Sequence, residues 1–256
     1  MLLALDIGNT NVTYGVFDGD KLKATWRMAT NVNQMADEYA SMLLTLLYHK
    51  EIAVADISDV TICSVVPPLT TTFTDLSKKY FDADPLVIGA GVKTGVLIRF
   101  DNPREVGPDR IANAAAAQHL YKGEAVIIID VGTATTFDVV SSEGDWMGGA
   151  NAPGISIAAE ALYSRTAALP RVELVPPKQA IGANSIAAMQ SGIVFGYAGL
   201  IDGIVSHIRE ELKEKTRVIA TGGYASLMEK ETKVIDEVNP DITLIGIKYI
   251  YQLNRA

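Results

Sequence analysis

The chain opens on an apolar run, MLLALDIG, that is closed by an aspartate and a glycine, and short apolar runs bounded by Gly, Asp or Pro recur along it. LLALDIG, NVTYGVF, DVTICSVV, PLVIG, VLIRF, AVIIIDVG, TTFDVV and RVIATGG all have this form, which predicts strands. Helical patterns lie between them. DEYASMLLTLLYHK places Tyr39, Leu43, Leu46 and Leu47 on one face, DRIANAAAAQHLY is rich in alanine, and ISIAAEALYSRTA and SIAAMQSGIVFGYAGLIDGIVSHIREELKEK follow. Strands interleaved with helices in this way predict an α/β fold with a largely parallel sheet.

One pattern occurs twice. MLLALDIGNT near the start and VIIIDVGTAT from residue 126 are both apolar runs ending in a carboxylate, a glycine and a small hydroxyl residue. Asp6 aligns with Asp130, Gly8 with Gly132 and, by position alone, Thr13 with Phe137. Each copy runs into a second apolar segment and then a polar turn, FDGDKL or SEGDWM, so each predicts a β-hairpin whose first strand ends in D-x-G. Chance is the competing explanation, and the repeated hairpin register weighs against it. The reading is an internally duplicated fold with halves at 1–115 and 116–256 and a cleft between them.

Composition narrows the function. With 256 residues, 48% of them hydrophobic, the chain can build one large core or two ordinary ones. A net charge of −8 without any Lys/Arg cluster leaves no footprint for DNA or RNA, which points to a small substrate. Cys63 is alone and cannot form an intrachain disulfide; within DVTICSVVPP it reads as a buried, inert thiol rather than a nucleophile, as suits a reducing compartment. The opening residues carry no basic leader, and no stretch reaches the roughly 18 uninterrupted apolar residues of a membrane span. A soluble, cytoplasmic protein is the expectation.

Two familiar phosphate-binding motifs are missing. No G-x-x-x-x-G-K-[ST] occurs, and GAGVKTG has the wrong glycine spacing for a dinucleotide fingerprint and leads towards VLIRF rather than a helix. The D-x-G turns offer another route. Gly8 and Gly132 let backbone approach a phosphate, neighbouring N–H groups and the hydroxyls of Thr10 or Thr133 can donate to it, and a strand-end carboxylate can hold a cation. Asp6 would then reach Mg²⁺, and Asp130 would hold charge near the phosphoryl group in transfer. The alternative for each aspartate is a turn residue bonded to its own backbone.

A third stretch, FDNPREVGPDRIANAAAA, sets Pro108 to begin a helix and Asp109 in its first turn, where the helix dipole favours the ionised form. An anionic carboxylate there can accept a hydroxyl proton, and in phosphoryl transfer position matters more than basicity. Arg110 can fork onto a substrate carboxylate. Equally, both can be the ordinary charges of a helix start.

GGANAPGI and ATGGYASL place glycines at transitions into helices, suited to contacting phosphate or nucleoside. Gly192, Gly196, Gly199 and Gly203 form a stripe on one helix face, which permits close approach of the protein's own sheet or of a second subunit. His49, His119 and His207 share no metal-ligand spacing.

Taken together, DIGNTN, FDNPREVGPDR, DVGTATTFD, GGANAPGISIAAEALYSRTAALPRVEL, IGANSIAAMQSGI and TGGYASL resemble, in order and spacing, the motifs of type III pantothenate kinases over nearly the whole chain. The resemblance implies a fold of the acetate and sugar kinase/Hsp70/actin superfamily, with two ribonuclease-H-like halves and a homodimer. It implies transfer of the ATP γ-phosphoryl group to the terminal hydroxyl of pantothenate, the first committed step towards coenzyme A. Asp109 then matches the catalytic base, and Asp6, with Gly8, Asn9, Thr10 and Asn11, the first phosphate motif. Asp130, with Gly132 and Thr133, matches the second, associated in the family with K⁺ or NH₄⁺. Gly107 and Arg110 match pantothenate-contacting positions, Phe100, Asp109 and Ser185 complete the implied substrate pocket, and Gly222 and Gly223 match the adenosine motif. The chain departs from the family at Phe100, where Tyr is frequent, at Ser185, where Thr is common, and at Asn151, usually aliphatic. A non-catalytic regulator that binds nucleotide, or a kinase of another small hydroxy acid, are the competing functions.

Overall fold

The computed structural model describes residues 1–255. Its elements in chain order are β1 (Leu2–Ile7), β2 (Asn11–Asp18), β3 (Lys21–Ala29), α1 (Ala36–His49), β4 (Asp59–Ser64), α2 (Pro67–Phe81), β5 (Leu86–Val87), α3 (Pro108–Leu120), β6 (Ala125–Val131), β7 (Ala134–Val140), β8 (Trp146–Pro153), α4 (Ile155–Arg165), α5 (Ser185–Leu212), β9 (Thr216–Thr221), α6 (Ala225–Glu231), β10 (Glu237–Val238) and α7 (Ile242–Arg255). They divide into two compact units. The first holds Met1–Leu97, Asp101–His119 and the residues from Ile242 onward; the second holds Ile98–Phe100 and Leu120–Asp241. A break at 115/116 thus differs from this division in three places: Ile98–Phe100 joins the second unit, α3 stays with the first unit through His119, and α7 rejoins it from the far end of the sequence.

Each unit is built on a five-stranded sheet, in the orders β3-β2-β1-β4-β5 and β8-β7-β6-β9-β10. In both, three strands form an antiparallel meander and the remaining two add in parallel. The sheets are therefore mixed rather than largely parallel, because each repeat spends its first two connections on tight turns that only antiparallel neighbours allow.

The repeat carries a one-residue difference. Four residues, Gly8 to Asn11, connect the first strand pair, whereas three, Gly132 to Ala134, connect the second. Asp6 consequently faces Thr13 across the ladder, while Asp130 faces Thr136. Thr136, not Phe137, is the counterpart of Thr13, and the bulges at Val16/Phe17 and Val139/Val140 keep the same shifted offset.

In β1 the strand period sorts the side chains. Leu3, Leu5 and Ile7 join a core with Tyr39, Leu43 and Leu47 of α1 and Leu69, Phe73 and Leu76 of α2. Leu2 and Ala4 turn to the other face and pack with Ala112 and Ala115 of α3 and with Leu244, Ile247 and Ile250 of α7. That approach requires glycine at 246, where a Cβ would lie 1.8 Å from the carbonyl oxygen of Ala112. In the second unit, Ile127, Ile129 and Val131 of β6 pack against Met189, Val194, Tyr197 and Ile201 of α5.

Some expected elements take another form. VLIRF contributes one bridge, Ile98 to Trp146, and PLVIG only the two residues of β5. The glycines of WMGGANAP lie inside β8 rather than in a loop, and Gly149 approaches the carbonyl of Phe137 too closely for any side chain. By length and composition α5 is long and apolar enough to cross a membrane, yet Met189, Ile193, Val194, Tyr197, Ile201 and Val205 are buried in the second core. The glycine stripe of α5 is not met by the sheet: nothing lies within 4 Å of where a Cβ would stand at Gly192, Gly196, Gly199 or Gly203.

Candidate functional site

In the first unit, β1 ends by delivering Asp6 on the face shared with Leu2 and Ala4, the side on which α3 packs. Its ladder partners are Thr13 on β2 and Cys63 on β4. The following turn is closed by Gly8 N–H donating to Asn11 O at 2.9 Å. Thr30 braces it from β3's far end, its hydroxyl donating to Gly8 O at 2.6 Å and its N–H to Thr10 O at 2.9 Å. Asn9, Thr10 and Asn11 are exposed, so this turn presents polar backbone and side chains to solvent.

The stretch before α3 folds into a short 3₁₀ turn, Pro103–Glu105, capped by the Asn102 side chain. Pro108 then starts α3, and Asp109 and Arg110 occupy its first turn, both half-buried. Oδ1 of Asp109 accepts from the Arg110 N–H at 2.8 Å; Oδ2 takes no hydrogen bond from the described residues. Burial pushes the Cys63 thiol well up, and the negative charges of Asp6 and Asp109 push it further. Both carboxylates are thus brought close enough to one buried sulfur to act on it. Cys63 is fully buried and unpaired with any other cysteine, as expected of an inert thiol.

In the second unit, Asp130 ends β6 half-buried, flanked by Thr136 on β7 and Thr221 on β9. Its turn is closed by Gly132 N–H donating to Ala134 O at 3.0 Å. Gly154, which caps α4, lies against the carbonyl oxygens of Gly132 and Thr133, where a Cβ would stand 2.5 and 2.1 Å away. Gly222 follows β9 with φ +92°, and a Cβ there would lie 2.4 Å from Asp130 Oδ1. Gly223, by contrast, faces open space, so its backbone is accessible from that side.

Phe100 also belongs to the second unit, 40% exposed, with its ring 5.3 Å from that of Trp146. Ser185 stands exposed as the first residue of α5, next to Asn184, whose side chain accepts from Ala187 N–H at 2.9 Å. Asn151 is an exposed residue of β8 opposite Thr136. The structure thus groups Asp6, the 8–11 turn, Gly107, Asp109 and Arg110 in one unit, and Asp130, Gly132, Thr133, Gly222, Gly223, Phe100 and Ser185 in the other. Sequence reasoning did not mark Asp138, a buried carboxylate on β7 bonded to the Trp146 indole. Its signal was a lone charge inside the apolar run TTFDVV.

No group of three or more His, Cys, Asp or Glu side chains suited to a metal ion occurs among the described residues. The donors at hand are carboxylates at strand ends. Such a set fits Mg²⁺, which keeps several waters and binds through one or two carboxylates together with phosphate oxygens.

Comparison with known proteins places these features. Residues 2–207 match the family described as type III pantothenate kinase. A Dehalococcoides mccartyi protein named type III pantothenate kinase is 55% identical over 255 residues, covering 100% of this chain and 97% of its own. Among solved structures, a Campylobacter jejuni protein described as a Baf family transcriptional activator superposes with TM-score 0.62 at 19% identity, covering 99% of this chain and 98% of that one. A ROK hexokinase from Thermus thermophilus gives 0.54 at 13% identity, covering 98% and 99%. At these identities the solved structures speak to the fold alone, which this chain shares with them.

Proposed function

The chain belongs to the type III pantothenate kinase family, and we propose that Asp109 serves as the base in its ATP-dependent phosphorylation of pantothenate, the first step of coenzyme A biosynthesis. The observation that carries this reading is the state of the carboxylate. Oδ1 is fixed on the Arg110 N–H, which leaves Oδ2 to take the proton of a substrate hydroxyl. A carboxylate suffices as the base because phosphoryl transfer passes through a loose transition state in which alignment dominates.

The other roles follow from residue chemistry. ATP arrives with a divalent metal, and Asp6 is the carboxylate that would hold it, directly or through water. Bound there, Mg²⁺ would neutralise charge developing on the phosphate oxygens. Gly8, Asn9, Thr10 and Asn11 on one turn, and Gly132 and Thr133 on the other, offer N–H and hydroxyl donors to the phosphates. Asp130 is assigned to a monovalent cation, K⁺ or NH₄⁺. Gly222 and Gly223 are assigned to adenosine, and Phe100, Gly107, Arg110 and Ser185 to pantothenate, with Arg110 suited to its carboxylate. The assembly proposed is a homodimer, and the compartment the cytoplasm.

The test is ADP release by the purified protein with Mg²⁺, ATP and pantothenate, with and without K⁺ or NH₄⁺, beside Asp109→Asn. The expected result is pantothenate-dependent, cation-stimulated turnover that falls by about 10²–10⁴-fold in the variant. A variant that turns over at the parent rate removes the base assignment; equal rates with and without either cation remove the Asp130 assignment.

A further inference from the structure

We propose that Gly107 is a positioning residue for Asp109: its missing side chain is the space in which the carboxylate is seated. The proposal rests on the reading of Asp109 as the base, and it assigns Gly107 a task beyond contact with pantothenate.

A glycine is usually required by its backbone, but Gly107 is absent from the residues with left-handed φ, so other residues could adopt its conformation. What a side chain here would displace is the neighbouring carboxylate. A Cβ at 107 would stand 2.4 Å from Asp109 Oδ1, inside any permissible contact, whereas the next neighbours, Asp109 Cγ at 3.6 Å and Val65 Cγ1 at 3.7 Å, would be in ordinary contact. Oδ1 therefore accepts from the Arg110 N–H at 2.8 Å while occupying the space that a Cβ at 107 would take. That bond and that space fix the placement of Oδ1 and hence where Oδ2 lies. Gly107 also anchors the start of the helix, its carbonyl accepting from Ile111 N–H at 3.2 Å, so loop and base are fixed by the same residue.

Gly222 makes the same close approach to Asp130 Oδ1, also at 2.4 Å. There, however, φ is +92° and the Val131 backbone lies 2.7 Å from the added atom, so a substitution would disturb much more than the carboxylate. Gly107 is the site at which positioning can be separated from backbone strain.

Gly107→Ala should displace Oδ1 from the Arg110 N–H and rotate Oδ2 away from the reacting hydroxyl. Misplacement on the ångström scale costs about a hundredfold in rate. The expected result is that kcat falls by about that factor, while the Kd for pantothenate, measured calorimetrically with a non-hydrolysable ATP analogue, changes by at least about tenfold less than kcat does. In an Asp109→Asn background, Gly107→Ala should change the residual rate less than about twofold, since the group through which it acts has already been disabled. A loss carried by Kd with kcat unchanged, or one that persists undiminished in that background, would overturn the proposal in favour of direct substrate contact alone. Near-parent turnover by Asp109→Asn alone would instead remove the base reading, leaving the two failures distinct. Should Gly107→Ala melt early, Gly107→Ala/Asp109→Ala decides: a melting temperature equal to that of Asp109→Ala locates the clash at the carboxylate, and no recovery places it elsewhere and overturns the proposal.

Discussion

Trp146 donates its indole N–H to Oδ1 of Asp138 at 2.9 Å, and both side chains are buried. The pair joins two neighbouring strands, since Trp146 opens β8 and Asp138 lies on β7. Trp146 also supports Phe100 through ring contact and accepts from the Arg99 N–H at 2.8 Å through its backbone carbonyl. Replacing Trp146 by Phe keeps an aromatic ring but removes a donor from a buried carboxylate. The expected cost is about 1–3 kcal/mol in urea unfolding, and a change under about 0.5 kcal/mol would show that the bond contributes little.

Tyr14 presents the opposite case. Its ring is fully buried against Phe73, its hydroxyl has no hydrogen-bond partner among the described residues, and burial drives its ionisation far above the ordinary tyrosine range. Tyr14→Phe removes an unpaired polar atom, so stability should stay level or rise by up to about 1 kcal/mol. Tyr39→Phe is the control: that hydroxyl accepts from Asn31 N–H at 2.9 Å and donates to Asn31 O at 3.1 Å. Its removal should cost about 0.5–1.5 kcal/mol. Chemical unfolding of the two variants side by side tests the contrast, and an ordering in reverse would refute it.

Acid sensitivity should report on α7. Asp20 accepts from Lys248 Nζ at 2.8 Å and from Gln252 at 3.4 Å, and these hydrogen bonds, the Lys248 one foremost, hold its carboxyl below the usual range. A group depressed on folding stabilises above the unfolded carboxyl pKa of about 3.9, and the gain is lost as pH falls through the folded value. Asp20→Asn should therefore lower the melting temperature near neutral pH and converge with the parent by about pH 2. Parallel curves over the whole range would count against the linkage.

The Cys63 thiol, buried and held in its protonated form by burial and by Asp6 and Asp109, should resist labelling by an aromatic disulfide reagent at pH 8 while the protein is folded. One thiol per chain should react once denaturant is added. Rapid labelling of the native protein would mean that the strand end opens readily.

The legible parts of this fold are those in which one period dominates. β1 and β6 stand out as apolar runs stopped by Asp-x-Gly, and α1 as a single apolar face, so the duplication and the paired aspartates can be found without coordinates. β8 is harder to read: Gly148 and Gly149 suggest a transition into a helix, yet both lie inside a strand, where Gly149 permits close approach to its neighbour. α2 was hidden by Pro67 and Pro68, which punctuate a sequence and yet fit the first turn of a helix. The one-residue shortening of the second turn cannot be read from identities, because Phe137 and Thr136 are both compatible with a strand. Asp109 was found through its helix start, but Gly107's relation to it depends on a side-chain direction that no sequence pattern encodes.

The return of α7 to the first unit has a bearing on how the protein is made. Leu244, Ile247 and Ile250 cover a surface formed by Leu2, Ala4, Phe17, Cys63 and Ile88, so partners separated by more than half the chain complete one apolar layer. During synthesis, that layer stays uncovered until residues 242–255 clear the ribosome, by which time the whole second unit has been translated. The second unit, whose residues Ile98–Phe100 and Leu120–Asp241 all precede Ile242, can condense first, and the first unit must wait with its sheet half-dressed. A nascent chain stalled before Ile242 would expose that layer, which makes it a natural client for chaperones that recognise apolar strands.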